Sequence, residues 1–305
     1  MVRVLVTGSG GMLGFALRES CPAGWEILEA DLPETDVTDP SSVAAAFRSG
    51  RPQAVIHAAA YTNVDGCESH EEQALAVNGA GSGHVAAACA QAGIPLLAVS
   101  TDYIFDGRIP APGEYGEDDP PSPLSAYGRT KLAGELAVRE RCPMHWIVRS
   151  QWLYGLGGRN FVDTMLSLAA EKPFLAVVDD QVGSPTCTHE LAPVLWRFLQ
   201  RPPPWGTWHA TQAGSTSWHG FAEEIFRQAG LRVDLRRQSS RDLARPAPRP
   251  ARSVLSNAKL RAAFGTGLPP WQEGLARFLE RRRCWQAEGR PAADPAADAA
   301  RGRKT

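Results

Sequence analysis

The chain enters a short apolar run at once, residues 2–7, and breaks it with glycine in Thr7-Gly8-Ser9-Gly10-Gly11-Met12-Leu13-Gly14. No other feature restricts the fold as strongly. A buried strand, a tight glycine turn and a helix over residues 13–20 are the opening of a parallel α/β layer. Glycines let the backbone turn sharply and approach a diphosphate with no Cβ in the way. The N–H groups at the start of the following helix then face that negative charge. The spacing is GxxGxxG, and a lone glycine loop is equally a plain strand-to-helix turn. Its position after the first strand, with Asp31 closing a second strand over 25–30, points to a dinucleotide. A carboxylate at Asp31 would meet the adenosine ribose hydroxyls. It favours NADH mildly, because it repels a 2′-phosphate.

The alternation continues. Residues 42–48 read as helix, 54–60 as buried strand, 71–92 as an alanine-rich helix and 95–100 as a fourth strand. Strands alternating with helices predict a parallel sheet covered on both faces. A polar, Pro- and Gly-rich stretch over 106–125 predicts a long loop of the kind that carries function. A helix over 126–141 and a strand over 145–150 follow. Beyond Trp152 the alternation weakens, although 217–228 and 271–281 read as helices. This second half reads as a smaller α+β lobe. Residues 287–305 have no apolar periodicity and predict a disordered tail.

Composition excludes several classes. Lys and Arg total 32 against 33 for Asp and Glu, a net charge of -1. Nothing in that balance favours nucleic acid or an anionic membrane. No apolar run approaches the roughly 20 residues that cross a bilayer, and the N-terminus lacks an export pattern. The six cysteines stand singly, which suits reduced thiols in a cytoplasmic protein. The seven histidines form no ligand-spaced cluster, so no metal site is predicted.

The chemistry centres on Ser125-Ala126-Tyr127-Gly128-Arg129-Thr130-Lys131. Tyr127 and Lys131 lie one turn apart on a helix face. A phenol is a weak acid–base group at neutral pH, and a neighbouring ammonium lowers its pKa towards the working range. YxxxK also occurs on ordinary surface helices; the glycine loop upstream is what gives it meaning. Thr101, in Ser100-Thr101-Asp102, falls just past the fourth strand, where ligands of such sheets bind. Its hydroxyl can hydrogen-bond a substrate carbonyl, or it can simply cap a turn.

Together these residues resemble the extended short-chain dehydrogenase/reductases. Longer segments narrow that to the dTDP-4-dehydrorhamnose reductase family: HAAAYTNVDGCE (57–68), STDYIFDG (100–107), SAYGRTKLAGE (125–135), DDQVGSPT (179–186) and RPARSVLSNAKL (249–260). The resemblance implies an α/β, Rossmann-type doubly wound parallel sheet with a smaller C-terminal α+β substrate lobe. Residues 1–151 would bind dinucleotide, with parts of 186–213 returning to that domain. Residues 152–185 and 214–286 would form the lobe. It implies reduction of the 4-keto group of dTDP-4-dehydro-L-rhamnose by NADPH or NADH, in a monomer or homodimer. Thr101, Tyr127 and Lys131 would be catalytic. Gly8, Gly11, Met12, Leu13, Gly14, Asp31, Asp36, Val37, Ala60, Tyr61 and Thr62, with Tyr127 and Lys131, would hold the dinucleotide. Thr101, Asp102 and Trp152 would contact the sugar nucleotide, Trp152 offering a flat apolar face. Two departures stand out. The family's usual RTSW is Arg149-Ser150-Gln151-Trp152 here. The first-helix acid that, with Glu190, holds Mg²⁺ in some members is Ala16. Another nucleotide keto-sugar reductase, an epimerase on the same scaffold, or a non-catalytic regulatory subunit that binds NAD(P) are the alternatives.

Overall fold

The structure, a computed structural model, describes residues 1–289. The first half runs β1 (Val2–Thr7), α1 (Met12–Glu19), β2 (Trp25–Ala30), α2 (Pro40–Gly50), β3 (Ala54–His57), α3 (Val64–Ser69), α4 (Glu71–Leu75), a π-helical turn (Ala76–Gly81), α5 (Ser82–Ala92), β4 (Leu96–Thr101), α6 (Ala126–Arg141) and β5 (His145–Ser150). The second half runs β6 (Leu153–Tyr154), α7 (Phe161–Glu171), β7 (Phe174–Val178), β8 (Val182–Gly183), β9 (Thr186–Cys187), α8 (Thr188–Gln200), β10 (Gly206–His209), β11 (Thr216–Ser217), α9 (Trp218–Ala229), β12 (Asp234–Gln238), α10 (Ser240–Leu243), α11 (Ala258–Phe264) and α12 (Trp271–Ala287). Of the tail expected over 287–305, Ala287 is the last residue of α12, and the part beyond Gly289 lies outside the described residues.

Six strands form one sheet in the order β10-β5-β4-β3-β1-β2, and every neighbouring pair is parallel. The period-two alternation of side chains splits each strand between two cores. Val4, Val6, Ile56 and Trp146 pack with Leu17 of α1 and Leu195 and Trp196 of α8. Leu5, Val55, Leu96 and Ile147 pack on the other face with Val43, Val85 and Val138 from α2, α5 and α6. Near-continuous apolar strands are what a sheet buried on both faces requires. A separate core of Val162, Phe221, Phe226, Trp271 and Phe278 builds the lobe around α7, α9 and α12.

Strand order reverses between β1 and β3. From β1 the chain moves outward to β2; from β3 it moves the other way to β4. A crevice opens at such a point beyond the carboxyl ends of the strands. Into it run the glycine loop after β1, Ala58–Ala60 after β3 and Thr101 at the end of β4.

Three local differences from the sequence reading have physical causes. The third strand stops at His57 because the chain beyond it is drawn away: Asn78 accepts a hydrogen bond from Tyr61 N at 2.8 Å and donates to Tyr61 O at 3.1 Å. The alanine-rich helix is not uniform, since a π turn at 76–81 carries that Asn78. Such bulges are common where a helix side chain must be re-aimed. Finally, α8 forms with Pro193 inside it, in a stretch where the sequence showed only a weakening alternation.

Candidate active site

The glycine loop is fixed by contacts that no side chain could tolerate. Gly8 has φ +69, and a Cβ there would lie 2.7 Å from Ala59 N. A Cβ on Gly14 would lie 2.1 Å from Ser9 O, so α1 packs directly on its own loop. α1 begins at Met12 with Gly11 as N-cap; no side chain caps it and no acid sits in its first turn. A helix start without a cap or a carboxylate suits a phosphate anion. This arrangement fits a dinucleotide. Asp31, just past β2, accepts from Gly10 N at 2.8 Å and from Leu32 N at 2.9 Å, which ties the second strand's acid to the loop. Arg18 donates to Ser9 O from the other side.

The remaining predicted cofactor residues cluster by backbone more than by side chain. Asp36 turns its carboxylate back to Thr38 N and Oγ1 at 2.8 and 2.7 Å. Val37 is buried, with its carbonyl bonded by His84. Ala60, Tyr61 and Thr62 follow β3 as irregular chain, and Asn78 clamps both peptide groups of Tyr61. Asn78 also donates to Thr130 Oγ1 at 3.1 Å, so one buried amide joins this loop to α6. Sequence reading passed over Asn78; its one signal is an amide set beside the closely spaced glycines at 79, 81 and 83.

α6 starts on a clean cap, with Ser125 Oγ accepting from Gly128 N at 3.2 Å. Gly128 is obligatory, since a Cβ would meet Tyr103 O at 2.2 Å. That close approach brings Tyr127 against Tyr103, edge to face at 5.3 Å. The Thr101 hydroxyl lies beside the Tyr127 phenol and favours its ionised form. Burial pushes the Tyr127 phenol well above its ordinary range, with the nearby Asp102 charge adding to the rise. Lys131, 7% exposed, donates from Nζ to Val99 O at 2.8 Å. Its own pKa falls to about 8 because it is buried, with Glu135 opposing the fall.

The structure thus brings Thr101, Tyr127 and Lys131 to one end of β4, but the phenol's pKa is raised on balance and not brought down to the working range as the sequence suggested. Burial dominates. A phenol held neutral is the form that can donate a proton, so this direction favours an acid.

Asp102 is 1% exposed and both its oxygens are engaged within the protein. Oδ1 accepts from Thr101 Oγ1 at 3.1 Å; Oδ2 accepts from Gln151 Nε2 at 3.1 Å and from the Ser253 hydroxyl. Burial raises its pKa to about 6, and those hydrogen bonds oppose the rise. These bonds set the carboxylate behind Thr101. Trp152 has φ +47, rare for so large a residue. Its indole stacks on Trp218 at 3.6 Å, and a Cβ on Gly183 would lie 2.6 Å from it.

Segments from the lobe close over this end. Gly107, with φ +71, passes so near Pro250 that a Cβ would meet it at 2.4 Å, and Arg252 N donates to Gly107 O at 3.0 Å. Asp65 on α3 accepts from Arg245, Arg249 and Ala247 N at 3.0–3.2 Å. Arg249 reaches the Tyr103 phenol as well.

Comparison with known proteins decides the family. Residues 2–284 match the family described as RmlD substrate binding domain. The chain belongs to the RmlD, or dTDP-4-dehydrorhamnose reductase, family. It is 42% identical over 303 residues to a dTDP-4-dehydrorhamnose reductase of Streptomyces griseus, covering 96% of this chain and 97% of that one. It is 39% identical over 285 residues to the spore coat polysaccharide biosynthesis protein SpsK of Bacillus subtilis, covering 92% and 98%. A solved dTDP-4-dehydrorhamnose reductase of Bacillus anthracis, in complex with NADP, superposes with a TM-score of 0.88 at 38% identity, covering 92% of this chain and all of that one. As an RmlD-family member the protein is an NAD(P)-dependent reductase.

The magnesium ion that the family resemblance implies does not fit this chain. Ala16 is wholly buried, and Arg277 donates to both oxygens of Glu190 at 3.0 Å. Among the described residues no group of three or more His, Cys, Asp or Glu could hold a metal. No helix among them is long and apolar enough to cross a membrane.

Proposed function

We propose that this RmlD-family chain reduces the 4-keto group of dTDP-4-dehydro-L-rhamnose to give dTDP-L-rhamnose, using NADPH or NADH. The observation that carries this reading is the meeting of the Thr101 and Tyr127 hydroxyls at the carboxyl end of β4, with Lys131 buried behind them. The S. griseus relative's name supports the substrate.

A reduced nicotinamide supplies a hydride when it is bound. The glycine loop and the uncapped start of α1 would hold its diphosphate, and Asp31, tied to that loop, would face the adenosine ribose. The NADP in the B. anthracis relative supports NADPH, and Arg18 beside the loop suits a 2′-phosphate. Asp31 supports NADH. Asp36, Val37, Ala60, Tyr61 and Thr62 complete the wall.

Tyr127 gives its phenolic proton to the keto oxygen as C4 gains hydride, so carbonyl, hydride and proton sum to the alcohol. Its raised pKa keeps that proton in place at neutral pH until charge develops on the oxygen. Thr101 orients the oxygen, and the Lys131 ammonium stabilises the phenolate left behind. The exposed part of the Trp152 indole suits a sugar or thymine ring.

The test is loss of reduced-nicotinamide absorbance with dTDP-4-dehydro-L-rhamnose and each dinucleotide, beside a panel of other nucleotide keto sugars. Fastest oxidation with the rhamnose precursor is expected. A faster rival sugar would replace the substrate, and bound NAD with no net oxidation would favour an epimerase. Absence of any turnover would favour a regulatory subunit.

A further inference from the structure

Gln151 stands where the family resemblance implies a serine, and the structure gives it work no short hydroxyl could do. It is 2% exposed, at the end of β5, and its amide is nearly saturated. Nε2 donates to Asp102 Oδ2 at 3.1 Å and to Ser253 O at 2.8 Å. Oε1 accepts from Ser184 N at 2.8 Å. These partners fix the amide's orientation, since the reverse would set its oxygen against a buried carboxylate.

Each partner belongs to a different part of the site. Asp102 holds the Thr101 hydroxyl at 3.1 Å. Ser184 follows Gly183, on which the Trp152 indole rests. Ser253 belongs to the lobe segment that pairs with β8, its N donating to Val182 O at 3.1 Å. Only a side chain with donors and an acceptor on one rigid plane can grip a carboxylate and an N–H together. A glutamate would confront Asp102, and serine is too short to span both.

We propose that Gln151 is a positioning residue for the reduction. It fastens Asp102, behind Thr101, to the Gly183–Ser184 segment beneath Trp152, so the orienting Thr101 hydroxyl and the sugar-binding surface are set as one unit. The proposal rests on the reductase reading above, with the sugar seated against Trp152. The groups facing Asp102 are the Thr101, Gln151 and Ser253 donors, with Tyr103 and Tyr127 close by and the Arg249–Asp65 pair beyond Tyr103. Removing one donor leaves the rest in place but weakens the hold on the ionised carboxyl.

The test uses two variants in the full chain. Gln151→Leu removes both grips at similar volume; Gln151→Glu keeps the acceptor for Ser184 N and loses the donor to Asp102. Gln151→Leu is expected to raise the keto-sugar KM roughly tenfold or more, while dinucleotide affinity, read by nicotinamide fluorescence, stays within about twofold. Gln151→Glu is expected to move the acid limb of kcat/KM upward by about one pH unit, because two adjoining carboxyls retain a proton. Hydrogen exchange at Ser184 should quicken in Gln151→Leu and not in Gln151→Glu, a split that simple loss of stability would not produce. Calorimetric binding of dTDP-L-rhamnose to the dinucleotide-loaded protein gives a readout free of turnover. Wild-type KM and wild-type pH limbs in both variants overturn the proposal alone. A wild-type protein that neither reduces the keto sugar nor binds dTDP-L-rhamnose overturns the reductase reading and this proposal with it.

Discussion

The two walls of the crevice are built in opposite ways. On the sheet side, function is carried by short contiguous runs: a strand, its glycine loop and a helix start, then Tyr127 and Lys131 on one helix. On the lobe side, each contact joins residues far apart in the chain, as in Gln151 with Asp102 and Ser253, or Asp65 with Arg245 and Arg249. The first wall is rigid because its backbone leaves no room for a Cβ. The second is held by polar side chains that can be removed singly. Dinucleotide binding should therefore depend on backbone fit, and sugar binding on replaceable hydrogen bonds.

The largest expected effect breaks the chemistry and leaves both walls standing. Tyr127→Phe should lower turnover by roughly a thousandfold while nicotinamide fluorescence shows unchanged dinucleotide binding. Turnover within tenfold of wild type would remove Tyr127 as the acid. Next comes the sheet wall itself. Gly14→Ala sets a Cβ 2.1 Å from Ser9 O, so the loop must shift, at a cost of about 1–3 kcal/mol. A lowered melting temperature and weakened dinucleotide binding should appear together. Retained affinity would show that the loop is softer than its packing implies.

The lobe wall should respond differently. Asp65→Ala removes the shared acceptor of Arg245, Arg249 and Ala247 N. The keto-sugar KM should rise several-fold, as loss of charge-assisted hydrogen bonds implies, with dinucleotide affinity unaltered and faster proteolysis near residues 244–252. Equal loss of both affinities would erase the contrast between the walls. The smallest effect is in pH. Burial places the Lys131 ammonium near pKa 8. It is charged below that value and neutral above it, so kcat should decline as pH rises through about 8. A flat alkaline limb would separate Lys131 from the chemistry.

The same contrast explains what could be read from residues alone. Gly8, Gly14, Asp31, Tyr127 and Lys131 announce themselves because strand, turn and helix periods place them, and the structure sets them around one switch point. Parallel strands were legible for the same reason, their apolar runs being continuous. Asn78 and Tyr103 gave no such sign, and Gln151 stood out only through the family resemblance. Their roles arise when a π turn re-aims an amide, or when Gly128 lets two loops nearly touch. The phenol's raised pKa was equally hidden, because spacing brought Lys131 near while burial, which no spacing reports, decided the direction.

β10 completes the large sheet beside β5, yet it is Gly206–His209, reached only after the chain has built β6 to β9, α7 and α8. A ribosome releasing the first 150 residues would leave β5 as a bare edge with Trp146 uncovered on the face that α8 later packs. The half that carries most of the large sheet therefore cannot mature ahead of the other. Synthesis must pass His209 before the sheet closes, so a stalled or truncated chain exposes a sticky strand where the whole protein has a finished one.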